Sequence, residues 1–360
     1  MKYLSEYRNL EATKKILDEL HLITTQEWNV MEICGGQTHG LVKNGILDLL
    51  PEKVRMIHGP GCPVCVTPLH LIDKAIELLE NDVILCSFGD MIRVPGSKKS
   101  LLDAKACGGD LRVLYSPIEA VTIAKENPDK EVVFFAVGFE TTAPANALSV
   151  LHAEKEEITN FSILVSHVLV PPAMEAILDD ELCSIDAFLA AGHVCAIMGI
   201  QQYKPLVDTY KIPIVVTGFE PLDLVQGIFM AVKQLEKGIH QLENQYSRVV
   251  KPEGNAAAID VIRKVFKIGT REWRGIGPIP NSGYVIQDAF KNYDAELKFK
   301  IQNIRVAENS ECIAGEILRG IKKPHQCDQF GKLCKPSNPL GAPMVSSEGA
   351  CAAYYHFQTL

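Results

Sequence analysis

The length, composition and charge of the chain exclude several classes of protein. Its 360 residues are too many for one ordinary hydrophobic core and enough for two or three. With 47% hydrophobic and 22% charged residues, the composition is that of a globular protein, not of a disordered, collagen-like or coiled-coil chain. The net charge of −8 disfavours nucleic acid as a partner, because neutralising phosphates requires a basic surface.

The first fifteen residues, MKYLSEYRNLEATKK, are polar and charged, which predicts neither a signal peptide nor a membrane anchor. No apolar run approaches the roughly 18–20 residues of a membrane-spanning helix. We therefore expect a soluble, cytoplasmic protein with no membrane partner.

Eight short apolar and β-branched runs predict strands in the first 250 residues. They cover residues 28–34, 54–59, 82–87, 111–116, 131–138, 161–167, 187–193 and 211–218. Most are continuously apolar, as strands buried on both faces of a parallel sheet should be. Helical patterns over 69–81, 116–127 and 220–238 follow three of them. This alternation predicts an α/β fold with two Rossmann-like parallel-sheet domains.

The same pattern predicts three domains. The first α/β domain spans residues 1–120, and a helix from 220–250 could complete it; the second spans 121–250. Residues 251–360 form the third, in which the Gly- and Pro-rich stretch 271–284 predicts a linker or loop. From residue 311 the chain is rich in turn residues and has too little apolar surface for its own core. Because four cysteines lie there, we expect this small loop-rich unit to be held by metal.

Four polar side chains lie where predicted strands end, and two of them belong to Gly-Phe-Glu motifs at 138–140 and 218–220. Ligands of open α/β sheets bind outside the carboxyl ends of the strands, so these side chains could line a cleft. Each could instead serve as a helix cap or a first-turn acid. The four residues are Glu140, His167, His193 and Glu220.

Eleven cysteines are unusual in a chain of this kind, and their odd number favours metal binding or thiol chemistry over a disulfide framework. Four of them near the C-terminus can hold either a [4Fe–4S] cluster or a structural zinc ion, since their spacing matches neither standard pattern. These four are Cys312, Cys327, Cys334 and Cys351.

Three more cysteines lie close behind predicted strands. Cys34 is followed by two glycines whose backbone amides can stabilise a thiolate, and His39 could share a metal with it or relay a proton. Cys62 and Cys65 have the C-x-x-C spacing of a redox-active pair or of two metal ligands.

Together these motifs resemble the HypD family of [NiFe]-hydrogenase maturation factors, over essentially the whole chain. The resemblance is carried by the four-cysteine tail and by MEICGGQTH (31–39), HGPGCPVCVTP (58–68), GFETTAP (138–144) and GFEP (218–221). One departure is visible, because the family pattern has histidine where this chain has Gln37. His39 is the histidine that remains in the motif.

The resemblance implies an assembly scaffold for the Fe(CN)2CO group of the hydrogenase, not a conventional turnover enzyme. It implies that Cys34 binds the iron together with a thiolate of HypC, and that Cys62 and Cys65 are redox-active near that iron. The four C-terminal cysteines would hold a [4Fe–4S] cluster that supplies electrons. HypE is the implied donor of cyanide, which it delivers from a thiocyanate on its C-terminal cysteine.

Two other functions remain as alternatives on the residues alone. A dithiol–disulfide oxidoreductase with a structural metal site would use the same C-x-x-C pair. A nucleotide-using enzyme is disfavoured, because the chain has no G-x-x-x-x-G-K-[ST] motif and no G-x-G-x-x-G between a strand and a helix.

Overall fold

The structure, a computed structural model, describes residues 9–300 and 311–357 and has an α/β fold with two parallel sheets. Sheet A contains β1 (Trp28–Glu32), β2 (Val54–His58), β7 (Ala187–Ala191), β8 (Ile214–Thr217) and β9 (Leu242–Asn244). Sheet B contains β3 (Ile84–Ser87), β4 (Leu111–Val113), β5 (Val132–Gly138) and β6 (Phe161–His167). The eight predicted strands are β1 to β8, so the predicted α/β class with parallel sheets is confirmed.

Helices connect and cover these strands. They are α1 (Leu10–Ile23), α2 (Gly35–Lys43), α3 (Pro63–Val66), α4 (Leu69–Glu80), α5 (Leu101–Ala106), α6 (Pro117–Glu126), α7 (Ala143–Lys155), α8 (Val170–Leu178), α9 (Gly192–Met198), α10 (Lys204–Tyr210), α11 (Pro221–Glu236), α12 (Ala256–Val265), α13 (Ala295–Phe299), α14 (Ala314–Leu318) and α15 (Ala350–Phe357). The three predicted helices correspond to α4, α6 and α11. In the described ranges, no helix is both long and apolar enough to cross a bilayer.

Continuous apolar strands are explained by burial on both faces of each sheet. All seven residues of β5 and all seven of β6 are buried. Successive side chains point to opposite faces, so Phe134 packs into one core while Val133 and Phe135 pack into another. Helices on both sides of the sheet create these two cores.

The strands are divided between the two sheets, and sheet A takes its strands from two separate parts of the sequence. Sheet A has the order β2-β1-β7-β8-β9 and sheet B has the order β4-β3-β5-β6. Sheet A therefore combines residues 28–58 with residues 187–244, and sheet B is built from the chain between them. The predicted units 1–120 and 121–250 do not coincide with the two sheets. Helix α11, within the segment 220–250, packs on β7 and β8 of sheet A.

The predicted loop over 271–284 is wrong, because β10 (Phe266–Trp273) and β11 (Gly277–Ile286) form an antiparallel hairpin. Its register shifts between Gly269 and Arg271. Proline is compatible with a strand that is paired on one side only, since its missing N–H can face away from the partner. The backbone N–H of Leu169 donates to the Ser282 carbonyl at 2.8 Å, which attaches the hairpin beyond the end of β6.

The C-terminal segment 311–357 shares the cores of the sheets. Leu318 packs in the core that contains Met31, and Val345 packs in the core that contains both Cys62 and Cys65. Helix α15 packs against α2, the helix that begins immediately after Cys34. This segment is therefore anchored over the carboxyl edge of sheet A.

Candidate functional site

The carboxyl edge of sheet A brings together loops that are far apart in sequence. Cys34 follows β1, Cys62 follows β2 and His193 follows β7. These strands are adjacent and parallel in the order β2-β1-β7, so the loops after them meet at one edge. Such an edge is where ligands of open α/β sheets bind.

Cys34 is the buried side chain at the centre of this edge. It caps the N-terminus of α2, is only 4% exposed, and its Sγ lies 3.8 Å from Nδ1 of His193. Burial is the main reason that the pKa of the Cys34 thiol is raised, and the charges of Glu348 and Glu32 add to it. The backbone amides of Gly36 and Gln37, in the first turn of α2, oppose this effect and lower the pKa. Binding a cation would relieve the same penalty, because it favours the thiolate.

His193 is the predicted cleft residue that lies against Cys34. Burial lowers the pKa of its imidazole to about 4, so the ring is neutral at pH 7. Its ring packs against Phe219, with centroids 5.2 Å apart. A neutral imidazole beside a thiol can accept a hydrogen bond or ligate a metal.

Cys62 and Cys65 form a disulfide at the start of α3. The loop before Cys62 packs directly on the Cys34 backbone: a Cβ on Gly61 would lie 2.2 Å from the Cys34 nitrogen, and the Gly35 N–H donates to the Gly61 carbonyl at 2.9 Å. The close approach requires glycine at position 61. The disulfide loop and the Cys34 loop are thus locked together.

Gln37 and His39 of the MEICGGQTH segment have contacts away from the Cys34 sulfur. Nδ1 of His39 lies 3.1 Å from the Ser347 carbonyl oxygen. The buried Gln37 amide donates to the Ala190 carbonyl at 3.2 Å and to the Thr217 hydroxyl at 2.6 Å. Gln37 therefore ties α2 to β7 and β8.

The remaining cleft candidates are held by local contacts. Glu140 is 1% exposed and accepts a hydrogen bond from the Val170 N–H at 3.0 Å, while burial raises its pKa to about 7. His167, at the end of β6, lies 2.7 Å from the Asn146 amide nitrogen, and burial lowers its pKa to about 4. Both residues lie at the carboxyl edge of sheet B. Glu220 caps the N-terminus of α11, which is the capping alternative considered for it.

The four C-terminal cysteines line one partly open cavity. The pKa of the Cys351 thiol is raised by burial and then by the charges of the other three thiols, so the four sulfurs influence one another. Elsewhere in the cavity the lining is largely apolar, with Ile317 and Met344 among its side chains. Within residues 9–300 and 311–357, no three histidine, cysteine or acidic side chains converge on a single metal ion.

The turn of the β10–β11 hairpin lies between two of the cysteine groups. The Arg274 N–H donates to the carbonyl of Val66, the residue after Cys65, at 2.8 Å. On its other side, Gly275 contacts Gly315 near the start of α14, closely enough that a Cβ on Gly275 would lie 2.7 Å from the Gly315 Cα. Burial raises the pKa of the Cys312 thiol, and the charge of Arg274 opposes part of that rise. This turn lies in the segment that was predicted to be a linker.

Sequence reasoning also missed a buried polar network beneath Cys34. Glu32 is fully buried in β1 and accepts from the Cys34 N–H and from His58. His58 in turn contacts the Tyr354 hydroxyl. The available signal was an acidic residue inside the apolar run WNVMEIC, where a buried charge requires partners.

Comparison with known proteins finds relatives that match nearly the whole length of the chain. The family model HypD, described as "Hydrogenase formation hypA family", matches residues 11–358. Hydrogenase maturation factor HypD2 of Bradyrhizobium diazoefficiens is 46% identical, over 99% of this chain and 97% of its own length. HypD of Azotobacter vinelandii is 46% identical over 99% and 97% of the two chains, and HypD of Escherichia coli K12 is 44% identical over 99% and 98%.

The fold and the site define an α/β protein in which Cys34 and the Cys62–Cys65 disulfide lie at the carboxyl edge of a parallel sheet. The chain belongs to the HypD family of hydrogenase maturation factors. The resemblance drawn from its motifs is confirmed.

Proposed function

We propose that this chain is the scaffold on which the Fe(CN)2CO group of [NiFe]-hydrogenase is assembled. The observation that carries the proposal is the position of Cys34, whose thiol lies against His193 and whose loop is locked to the Cys62–Cys65 disulfide. Cyanide and carbon monoxide are strong-field ligands that suit iron held by soft thiolates. The iron is the cargo of this site, and a thiolate of HypC completes its protein ligands.

Cys62 and Cys65 supply the electrons for cyanide transfer. Cleaving the S–C bond of a thiocyanate on HypE consumes two electrons and one proton and releases a thiol and cyanide. A dithiol provides two electrons and two protons when it closes to a disulfide, so the surplus is one proton. The disulfide between Cys62 and Cys65 is the oxidised state of this pair.

The donor set of the C-terminal cavity fits a [4Fe–4S] cluster, because four thiols line one largely apolar space. Cys312, Cys327, Cys334 and Cys351 would hold it. When bound, such a cluster would supply single electrons, and reducing the Cys62–Cys65 disulfide to a dithiol would take two electrons and two protons. We expect this chemistry in the cytoplasm, where thiols are kept reduced.

Metal and sulfide analysis of protein purified without oxygen tests the cluster. We expect about four iron and four sulfide per chain, with absorption near 400 nm, and their loss in Cys327→Ser. Cys107→Ser, which removes an exposed cysteine, is the control. About one zinc and no sulfide would instead support a structural zinc site.

Infrared spectra of the protein purified together with HypC test the scaffold. We expect cyanide and carbon monoxide bands in the wild-type complex, and we expect Cys34→Ala to lack them. Cys86→Ala removes another buried thiol, in β3 of sheet B, and should keep the bands. Bands that persist in Cys34→Ala would refute the assignment of Cys34 as the iron ligand.

The second candidate function is a dithiol–disulfide oxidoreductase acting on protein disulfides. It is favoured by the disulfide at the start of α3 and by Pro63 between the two cysteines. Reduction of a protein disulfide at equal rates by wild type and Cys34→Ala, with no infrared bands in the complex, would support it over the scaffold.

A further inference from the structure

A buried carboxylate links the Cys34 loop to a histidine on the neighbouring strand. Glu32, in β1, is 0% exposed. Its Oε2 accepts from the backbone N–H of Cys34 at 2.9 Å, and its Oε1 accepts from the Thr38 hydroxyl and from Nδ1 of His58 at 2.7 Å. Two donors come from the first turn of α2, and the third comes from the neighbouring strand. The carboxylate therefore holds the Cys34 loop in place from below.

His58 extends the connection to the C-terminal segment. Its other ring nitrogen, Nε2, lies 2.9 Å from the hydroxyl of Tyr354, which is 2% exposed. His58 ends β2 only four residues before Cys62, and Tyr354 lies on α15 three residues after Cys351. The chain of contacts thus runs from the four-cysteine cavity, past the disulfide loop, to the backbone of Cys34.

A shift at one end of this chain of hydrogen bonds affects the other end, because breaking any of the bonds is unfavourable. A buried polar group that loses its hydrogen-bond partner destabilises the protein, typically by about 1–3 kcal/mol. If α15 shifts and the Tyr354 hydroxyl moves away, Nε2 of His58 loses its hydrogen-bond partner. The His58 ring then moves to find another partner, which changes its hydrogen bond to Glu32. Helix α15 also contacts α2 directly, through Tyr354 and Val42.

We propose that Tyr354, His58 and Glu32 form a positioning relay through which α15 sets the conformation of Cys34. Because Cys351 lines the four-cysteine cavity, a group bound there fixes α15 and thereby prepares Cys34 to receive iron. This second part rests on the proposed function, whereas the relay itself does not.

The test is the rate at which iodoacetamide labels Cys34 in the full-length protein, measured by peptide mass spectrometry. Tyr354→Phe keeps the ring and removes the hydroxyl. We expect Cys34 to be labelled at least about fivefold faster, the factor that corresponds to the roughly 1 kcal/mol of one net hydrogen bond. Cys195, which is 0% exposed beyond the end of β7, is the internal reference and should keep its rate.

Tyr355→Phe is the matched control, because this neighbouring hydroxyl is on a side chain that is 39% exposed. We expect wild-type labelling in that variant. In a Glu32→Gln background, Tyr354→Phe should add less than about twofold, since coupled residues are not additive. Equal Cys34 rates in Tyr354→Phe and Tyr355→Phe would overturn the relay, and so would a parallel rise at Cys34 and Cys195, which indicates general loosening.

A second measurement changes the cavity and leaves Cys34 itself unaltered. In protein purified without HypC, which the proposed iron site at Cys34 requires, Cys327→Ser should speed labelling of Cys34 at least about fivefold, and an unchanged rate would overturn the link to the cavity. Protein that contains neither iron nor sulfide would refute the proposed cluster, and Tyr354→Phe would still decide the relay.

Discussion

Glu140 provides the sharpest test of how burial controls charge in this fold. Its carboxyl group is 1% exposed and accepts one hydrogen bond from the Val170 N–H at 3.0 Å. Burial raises its pKa from the ordinary 4.5 to about 7. The folded protein therefore keeps Glu140 protonated at pH values at which the unfolded chain has already released the proton.

The sign and size of the effect on stability follow from this difference. As the pH rises from 4.5 to 7, the unfolded state gains by ionising Glu140, so the free energy of unfolding falls; above pH 7 this contribution is constant. At about 1.4 kcal/mol for each pH unit, the loss is about 3 kcal/mol. Glu140→Gln cannot ionise and retains an oxygen for Val170. Its stability relative to wild type should thus increase by about 3 kcal/mol between pH 4.5 and pH 8.

Urea unfolding at several pH values measures this difference. The fluorescence of Trp273 reports on the region directly, since its ring packs against that of Phe139. Glu140→Ala should show the same pH dependence relative to wild type, but lower stability than Glu140→Gln at every pH, because the Val170 N–H loses its acceptor. A difference between Glu140→Gln and wild type that stays constant from pH 4.5 to pH 8 would refute the reasoning.

Three further predictions concern the carboxyl edge of sheet A. Gly61→Ala should lower the free energy of unfolding by about 3 kcal/mol, because the added carbon would clash with the Cys34 backbone. Gly89→Ala is the control and should change this free energy little, because its added carbon would make an ordinary contact at 3.6 Å. Thermal unfolding of the two variants measures both effects. Gln37→Leu removes two hydrogen bonds to sheet A and should cost about 2 kcal/mol by urea unfolding, and an unchanged stability would contradict the role assigned to the amide. A thiol assay on metal-free protein, denatured without reductant, should count nine free thiols, and the count should rise to 11 after reduction. A count of 11 before reduction would mean that the Cys62–Cys65 disulfide is absent in solution.

Much of the fold could be predicted from local patterns. The continuous apolar run of β5 and the helical spacing of apolar residues in α11 indicate which faces of each segment are buried. Such a pattern can be recognised within the segment alone. Cys34 and Cys62 could be placed directly after strands for the same reason. Local patterns failed at residues 271–284, where glycine and proline are compatible both with a loop and with a strand of a two-stranded hairpin.

The candidate site depended on contacts that no local pattern records. The run of β7 predicts a strand but not its place beside β1, and only that pairing brings His193 to Cys34 across 159 positions of sequence. Glu32 and Tyr354, which meet through His58, are still further apart along the chain.

By itself, the sequence determined strands β1 to β8, helices α4, α6 and α11, which thiols follow strands, and the family to which the chain belongs. Only the tertiary structure decided which strands are neighbours and which side chains share a buried space. The physical reason is that strand pairing and side-chain convergence depend on the packing of the whole chain, whereas apolar periodicity depends on each segment alone.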